Sequence, residues 1–157
     1  MSMIGKVLGL SPAQIKALRA DPSLAARVAM AALGHDEGDL SHFGVLQEPL
    51  DLHKSWHTLH YVFTGSVFDV RGPGAALLAG EERLHDAKAT QEFAHFLAPQ
   101  DVATLQARVK VGEMADMGIY GGDDEEVPGE VAHYFEQLRD YVSAVARANG
   151  GLLVYLT

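Results

Sequence analysis

Cysteine is absent from the 157-residue sequence. Without thiols the chain cannot form disulfides, thiolate zinc sites or a cysteine nucleophile, so these classes of chemistry are excluded together. A chain without disulfides also fits a reducing compartment, and we expect a cytoplasmic protein.

Basic residues are scarce. Lysine and arginine number 12 against 21 aspartates and glutamates, and the formal net charge is −9. No basic run is long enough to follow a phosphate backbone, so a nucleic-acid partner is not expected. An acidic surface instead suits a basic protein partner by electrostatic complementarity.

Long hydrophobic runs are also missing. No segment approaches the roughly 18 apolar residues that a membrane-spanning helix needs. The N-terminal segment MSMIGKVLGL continues into SPAQIKALRADP without the small-residue cleavage site of a signal peptide. We therefore expect a soluble protein with no membrane contact.

With 48% hydrophobic residues, the chain can still bury one substantial core, which predicts a single domain over residues 1–157.

Both ends of the chain carry apolar segments typical of strands. Residues 3–10 are more apolar than strict alternation requires, and LLVYL at residues 152–156 is apolar throughout. Continuous apolar runs of this length predict strands that are covered on both faces. We expect the two segments to pair within one sheet.

Helices are predicted between these strands. Ser11–Pro12 and Asp21–Pro22 are typical helix starts, and the second helix is expected to run to Leu33, before Gly34. Further helices are predicted from about Pro99, up to Gly118, and over residues 127–148, the last of them preceded by the acidic run 123–126. Residues 66–70 are interpreted as a short strand, and residues 71–91 as a turn-rich segment.

The segment DLHKSWHTLHYVFTG, residues 51–65, contains three histidines and the only tryptophan. A helix from about Asp51 to Phe63 would align Leu52, Trp56, Leu59 and Phe63 as one apolar stripe. The histidines His53, His57 and His60 would then form a second stripe along its edge.

These histidines do not predict a metal site. A histidine pair four residues apart can chelate zinc, but the segment lacks the H-E-x-x-H pattern and brings no carboxylate ligand. The structural interpretation is that His60 packs near the core and is hydrogen-bonded, while the other histidines meet solvent.

The sequence resembles the YfbM-like family of uncharacterised bacterial proteins. The resemblance lies in four segments: MIGKVLGLSPAQIKALRADP, LDLHKSWHTLHYVFTG, MADMGIY and YFEQLRDYVSAVARANGGLLVYL. The family form of the second segment is similar to D-L-D-K-x-W-H-x-L-H. Lys54, Trp56, His57 and His60 match this form, whereas His53 stands where an acid is typical. The resemblance implies bacterial origin, no established activity, and an α/β domain with helices packed around a small mixed β-sheet.

Two functions remain open from sequence. The first is a non-catalytic binding or protein-interaction domain with an acidic surface, without a cofactor or catalytic residues. The alternative is a small-molecule-binding protein or hydrolase with a site at the edge of the histidine-bearing helix. The candidate binding residues are Lys54, Trp56, His57, His60 and Tyr120. A pocket lined by Trp56, His60 and Tyr120 would favour the alternative, and a flat acidic face over a hydrogen-bonded His60 would favour the first.

Overall fold

A computed structural model describes residues 3–35, 38–78, 82–123 and 125–157. These residues form four strands: β1 (Gly5–Leu10), β2 (Leu50–His53), β3 (Glu82–His85) and β4 (Gly151–Leu156). They also form seven α-helices: α1 (Pro12–Ala20), α2 (Leu24–Ala32), α3 (Ser55–Thr64), α4 (Ala87–Leu97), α5 (Val102–Ala107), α6 (Glu113–Asp116) and α7 (Val127–Arg147).

The four strands form one sheet in the order β2-β1-β4-β3. The terminal strands β1 and β4 pair at its centre, from Gly5 opposite Leu156 to Leu10 opposite Gly151. The predicted pairing of the two chain ends is therefore confirmed. The expected mixed sheet needs correction, because all three pairings are antiparallel. Strands that run in the same direction, β1 with β3 and β2 with β4, are not neighbours in this order.

Helices cover both faces of the sheet. On one face, Leu8, Leu10, Leu153 and Tyr155 pack with the residues of α1 and α2. On the other, Val7, Leu152 and Val154 pack with α3, α4, α5 and α7. A strand between two helical layers has no solvent-facing side, which explains why β1 and β4 are continuous apolar runs. The prediction of strands covered on both faces is confirmed, as is the α/β fold class.

Several predicted helix boundaries are also confirmed. Ser11 caps α1, accepting from the Gln14 N–H at 3.2 Å while its own N–H donates to Gln14 Oε1 at 2.9 Å. Helix α7 begins directly after the predicted acidic run, of which Asp124 lies outside the described residues. Helix α2 begins at Leu24, slightly after the predicted Asp21–Pro22 start.

The predicted helix start at Asp51 is wrong. Residues Leu50–His53 form β2, which pairs with β1, and α3 begins only at Ser55. Asp51 is held in the strand by Lys6, whose Nζ lies 2.9 Å from Asp51 Oδ2. The chain then turns at His53, which has a left-handed φ of 49°. The expected stripe of three histidines therefore does not form, because His53 precedes the helix.

Residues 66–97 also differ from the prediction. Residues 66–70 form no strand. Strand β3 and helix α4 instead occupy much of the segment interpreted as turn-rich. Strand β3 has only four residues at the sheet edge, two of them charged, so it lacks an apolar pattern. Helix α4 is capped by Asp86, which accepts from the Ala89 N–H at 2.8 Å.

In the described ranges, no helix has the length and apolarity needed to span a membrane.

Candidate functional site

The turn between β2 and α3 is fixed by Asp51. Its Oδ1 accepts from the His53 N–H at 2.8 Å, and its Oδ2 pairs with Lys6. Burial by itself would raise the pKa of Asp51, but the hydrogen bonds from Lys6 and His53 lower it below its usual value. The turn thus carries a charged carboxylate that joins strand β1 to the start of α3.

Trp56 anchors α3 to the sheet. Its ring is buried, and Nε1 donates to the Met3 carbonyl at 3.0 Å. The Trp56 ring also stacks on His57, with centroids 4.8 Å apart and planes 7° apart. Tyr120 covers the same ring at 6.4 Å, and its hydroxyl accepts from the Met3 N–H at 3.1 Å. These contacts make Trp56 and Tyr120 part of the packed interior.

His57 uses both ring nitrogens within the protein. The Tyr120 N–H donates to Nδ1 at 2.9 Å. Because Nδ1 is the acceptor, Nε2 carries the hydrogen and donates to the Val67 carbonyl at 3.1 Å. Burial lowers the pKa of His57, which favours this neutral tautomer. His57 therefore ties two loops to α3, and neither nitrogen is available to a ligand.

His60 has the opposite character. Its side chain is 0% exposed, yet neither ring nitrogen has a hydrogen-bond partner in the described part of the chain. Burial, and to a smaller extent the nearby His57, lowers the pKa of His60 to about 4. The interpretation of His60 as buried is confirmed, but the hydrogen-bonded histidine of α3 is His57. The other expectation, that the remaining histidines meet solvent, holds for His53 and is wrong for His57.

A cavity of about 230 Å³ lies beside the first turn of α3, on the side facing α7. We call it the α3 cavity; it is lined by Ile4, His53, Lys54, Ser55, Thr58, Gly121, Val127, Glu130 and Tyr134. Of the five predicted binding residues, only Lys54 lines it. Trp56, His57 and Tyr120 are brought together by stacking and hydrogen bonds, with His60 next to His57 at 6.3 Å. The cavity therefore lies beside the first turn of α3, and Trp56, His60 and Tyr120 do not line it.

Two hydroxyls that line this cavity have no hydrogen-bond partner in the described part of the chain. Ser55 is 5% exposed and Thr58 is 2% exposed, and both line the cavity from adjacent turns of α3. Neither hydroxyl takes part in a hydrogen bond within the described ranges. Unlike the Thr90 hydroxyl, these two hydroxyls are not sealed from the cavity, so each can pair with water or with a bound ligand.

The start of α3 adds further donors. No side chain caps this helix, and Lys54 occupies the cap position. The first amide N–H groups of a helix have no acceptor within it and carry a partial positive charge. The exposed Lys54 adds a full positive charge at the same end of the cavity.

The opposite wall belongs to α7. Glu130 and Tyr134 lie four residues apart on this helix and both line the cavity. Burial raises the pKa of Tyr134, and the charges of Glu130 and Asp51 raise it further. Tyr134 therefore remains a protonated donor. The His53 ring contacts the Tyr134 ring, with centroids 5.7 Å apart, and closes one side.

Sequence reasoning missed Ser55, Thr58, Glu130 and Tyr134. Their spacings, three residues on α3 and four on α7, place each pair on one helix face. That signal exists in the sequence, but the packing of α3 against α7 does not follow from it. Among the described residues, no group of three or more His, Asp or Glu side chains lies close enough together to hold a metal ion.

The fold and the site define an α/β domain with a small polar cavity at a helix N-terminus. The chain belongs to the DUF1877 family, a domain of unknown function, whose family model matches residues 1–155. This agrees with the resemblance seen in the sequence.

A solved structure has the same fold. The chain is similar to the protein of unknown function YfbM from Escherichia coli, with a TM-score of 0.69 and 22% identity. The match covers 99% of this chain and 100% of that chain, and at this identity it shows the fold alone. Among proteins with curated descriptions, none matches the sequence.

Proposed function

We propose that this domain is a non-catalytic binding protein and that its ligand is a small organic molecule held in the α3 cavity. The observation that carries the proposal is that the hydroxyls of Ser55 and Thr58, on two largely buried residues, open onto one cavity without a hydrogen-bond partner in the described ranges. Polar groups that converge on one cavity are what fix the orientation of a small ligand in a binding site.

The size of the cavity limits the ligand. Sites for drug-sized molecules typically enclose about 300–1,000 Å³. At about 230 Å³, the α3 cavity suits a metabolite with few non-hydrogen atoms and not a dinucleotide.

A hydrolase with His57 or His60 as its base has less support. His57 donates from one nitrogen and accepts at the other, while His60 is sealed from solvent. A general base must reach the proton that it removes, directly or through one water molecule. Neither ring meets this requirement in the observed packing.

Ligand binding can be tested by thermal unfolding in the presence of a panel of small metabolites. Ligands that bind the folded state raise the melting temperature in a concentration-dependent manner. The only tryptophan, Trp56, directly follows Ser55, so its fluorescence provides a second signal. Native mass spectrometry of the purified protein checks for a co-purified molecule.

Thr58→Val and Thr90→Val form a matched pair of variants. Thr90 is also a buried threonine, but its unpaired hydroxyl is sealed from solvent, and the residue lies on α4 and does not line the α3 cavity. We expect Thr58→Val to weaken binding about tenfold or more, and Thr90→Val to bind as the wild type. Binding that is equally strong in both variants, or no binding by any compound in the panel, would overturn the proposal.

A basic protein partner is a second candidate. It is favoured by the net charge of −9 and by exposed acidic residues around α6 and the start of α7, namely Glu113, Asp116, Asp123, Glu125 and Glu126. Electrostatic complementarity between these carboxylates and a basic surface supports this candidate.

A further inference from the structure

The two walls of the α3 cavity carry opposite charge. The positive wall combines the uncapped N-terminus of α3 with the ammonium group of Lys54. Anions are stabilised at such a helix end by its N–H groups and its dipole. The hydroxyls of Ser55 and Thr58, which open onto the cavity, add two donors on the same wall. This side of the cavity therefore suits a carboxylate.

The wall formed by α7 is suited to a cation. It presents the Glu130 carboxylate and, beside it, the Tyr134 hydroxyl. Glu130 also has an interaction within the protein, so its charge is not an isolated one. A carboxylate on this wall still repels a second negative group and attracts an ammonium group. An inorganic anion would meet favourable charge on one side of the cavity and repulsion on the other.

The remaining lining is apolar. Ile4 and Val127 contribute aliphatic surface between the charged walls. Apolar lining favours an apolar part of the ligand, because contact with these side chains removes hydrocarbon surface from water. The small volume restricts that part to a short side chain.

We infer that the α3 cavity binds a small α-amino acid with an aliphatic side chain. This inference rests on the proposed function and adds the chemical class of the ligand. The carboxylate accepts from the start of α3 and from Ser55 and Thr58, and the ammonium group donates toward Glu130. The aliphatic side chain contacts Ile4 and Val127. A zwitterion satisfies both walls at once, whereas an acid or an amine satisfies one wall and faces repulsion at the other.

Isothermal titration calorimetry with three related compounds tests this class. L-Leucine carries both charged groups, isocaproate lacks the ammonium group, and isoamylamine lacks the carboxylate. We expect L-leucine, or another aliphatic amino acid tested beside it, to bind at least tenfold more tightly than either analogue. Inorganic phosphate serves as the probe for a simple anion site.

A comparison of Glu130→Gln with Glu136→Gln distinguishes the effect of charge on the cavity wall from the effect of the protein's net charge. Both glutamates lie on α7, but Glu136 is exposed and does not line the cavity. Glu130→Gln should reduce the preference for L-leucine over isocaproate about tenfold, whereas Glu136→Gln should leave it unchanged.

Two failures can be distinguished. If phosphate or isocaproate binds as tightly as every amino acid, and Thr58→Val abolishes that binding, the amino-acid inference is wrong and the ligand site stands. The amino-acid inference is also wrong if Glu130→Gln leaves the preference intact. If none of these compounds, and no compound in the metabolite panel, binds in a manner that depends on Thr58, both the inference and the proposed function are wrong.

Discussion

His57 and His60 lie one turn apart on α3 and have opposite hydrogen-bonding environments. His57 is paired at both nitrogens, and His60 at neither within the described residues. Their positions in the sequence are similar, since both fall beside an apolar helix stripe. The difference arises from the loops that carry Val67 and Tyr120, which reach His57. Sequence periodicity could predict that this side of α3 is buried, but not which of the two rings finds hydrogen-bond partners.

His57→Ala should lower the free energy of unfolding by about 2–4 kcal/mol. The change removes two hydrogen bonds, leaves the Tyr120 N–H and the Val67 carbonyl unpaired, and removes a stacked ring. Urea denaturation measures the effect, with His95→Ala as the control because His95 is exposed on α4. Equal midpoints for the two variants would show that His57 does not hold the loops in place.

Acid should destabilise the fold through its buried histidines. Burial lowers the pKa of His57, His60 and His85, so the unfolded chain binds protons more readily than the folded one. This contribution to stability is fully present above the unfolded pKa of about 6.5 and is lost as the pH falls toward the folded value, about 4 for His60.

His60→Leu isolates the share of His60 in this acid sensitivity. The substitution replaces an unpaired buried ring with an apolar side chain that takes up no proton. We expect the variant to be at least as stable as wild type at neutral pH, and to lose less stability between about pH 6.5 and 4.5. Urea midpoints across this range provide the test. A steeper loss in the variant than in wild type would contradict the assignment of His60 as a neutral, unpaired group.

At the level of elements, α3 approaches the sheet closely because β1 has a glycine opposite Trp56. A Cβ added at Gly5 would lie 2.5 Å from Trp56 Cβ and 2.8 Å from its Cγ. These atoms are near the backbone of α3 and cannot move as the end of a flexible chain would. The helix therefore depends on the missing side chain at Gly5 for its position.

Gly5→Ala should cost about 1–3 kcal/mol and displace α3 from β1. Gly129→Ala is the matched control, because Gly129 lies in α7 and an added Cβ there meets nothing within 4 Å. The control should gain about 0.5–1 kcal/mol from higher helix propensity. Thermal unfolding of both variants, together with Trp56 fluorescence, measures the two effects. A Gly5→Ala variant as stable as wild type would show that α3 is not held by this contact.

The elements that sequence reasoning predicted well are those with long patterns or strong end signals. The capped start of α1, the 21-residue α7 and the two central strands belong to this group. The short edge strands β2 and β3, with four residues each, were missed because they depend on pairing with neighbours. Leu52 even fitted the helical stripe of α3 although it belongs to β2.

In the molecule as a whole, the cavity exists because distant parts of the chain pack together. The β2–α3 turn supplies Lys54, α3 supplies Ser55 and Thr58, and α7 supplies Glu130 and Tyr134. Ser55 and Thr58 could be placed on one helix face from sequence alone, and so could Glu130 and Tyr134. Their approach requires the antiparallel sheet that carries β2 beside β1 and the packing of α7 across the same face. Lys54 was therefore the only predicted residue that reached the site.

Net charge sets the expected behaviour of the protein near pH 5. Protonation of all eight histidines would take the formal charge from −9 to −1 and favour association. Because burial lowers the pKa of His57, His60 and His85, we expect the native protein to keep a more negative charge than −1. Solubility should fall between about pH 7.5 and 5 without complete precipitation. The measurement is the precipitant concentration needed at each pH to bring the protein out of solution. Unchanged solubility over this range would contradict the expectation.

Ligand binding at the first turn of α3 can be located residue by residue. Amide NMR spectra of the labelled protein, recorded during titration with L-leucine, provide this test. We expect the largest shifts at Ser55, Trp56 and Thr58, with smaller shifts at Glu130 and Tyr134 across the cavity, and we expect Thr58→Val to weaken them together. Shifts confined to other surfaces, or none at concentrations up to about 10 mM, near the weak end of measurable affinity, would contradict binding of L-leucine at this site.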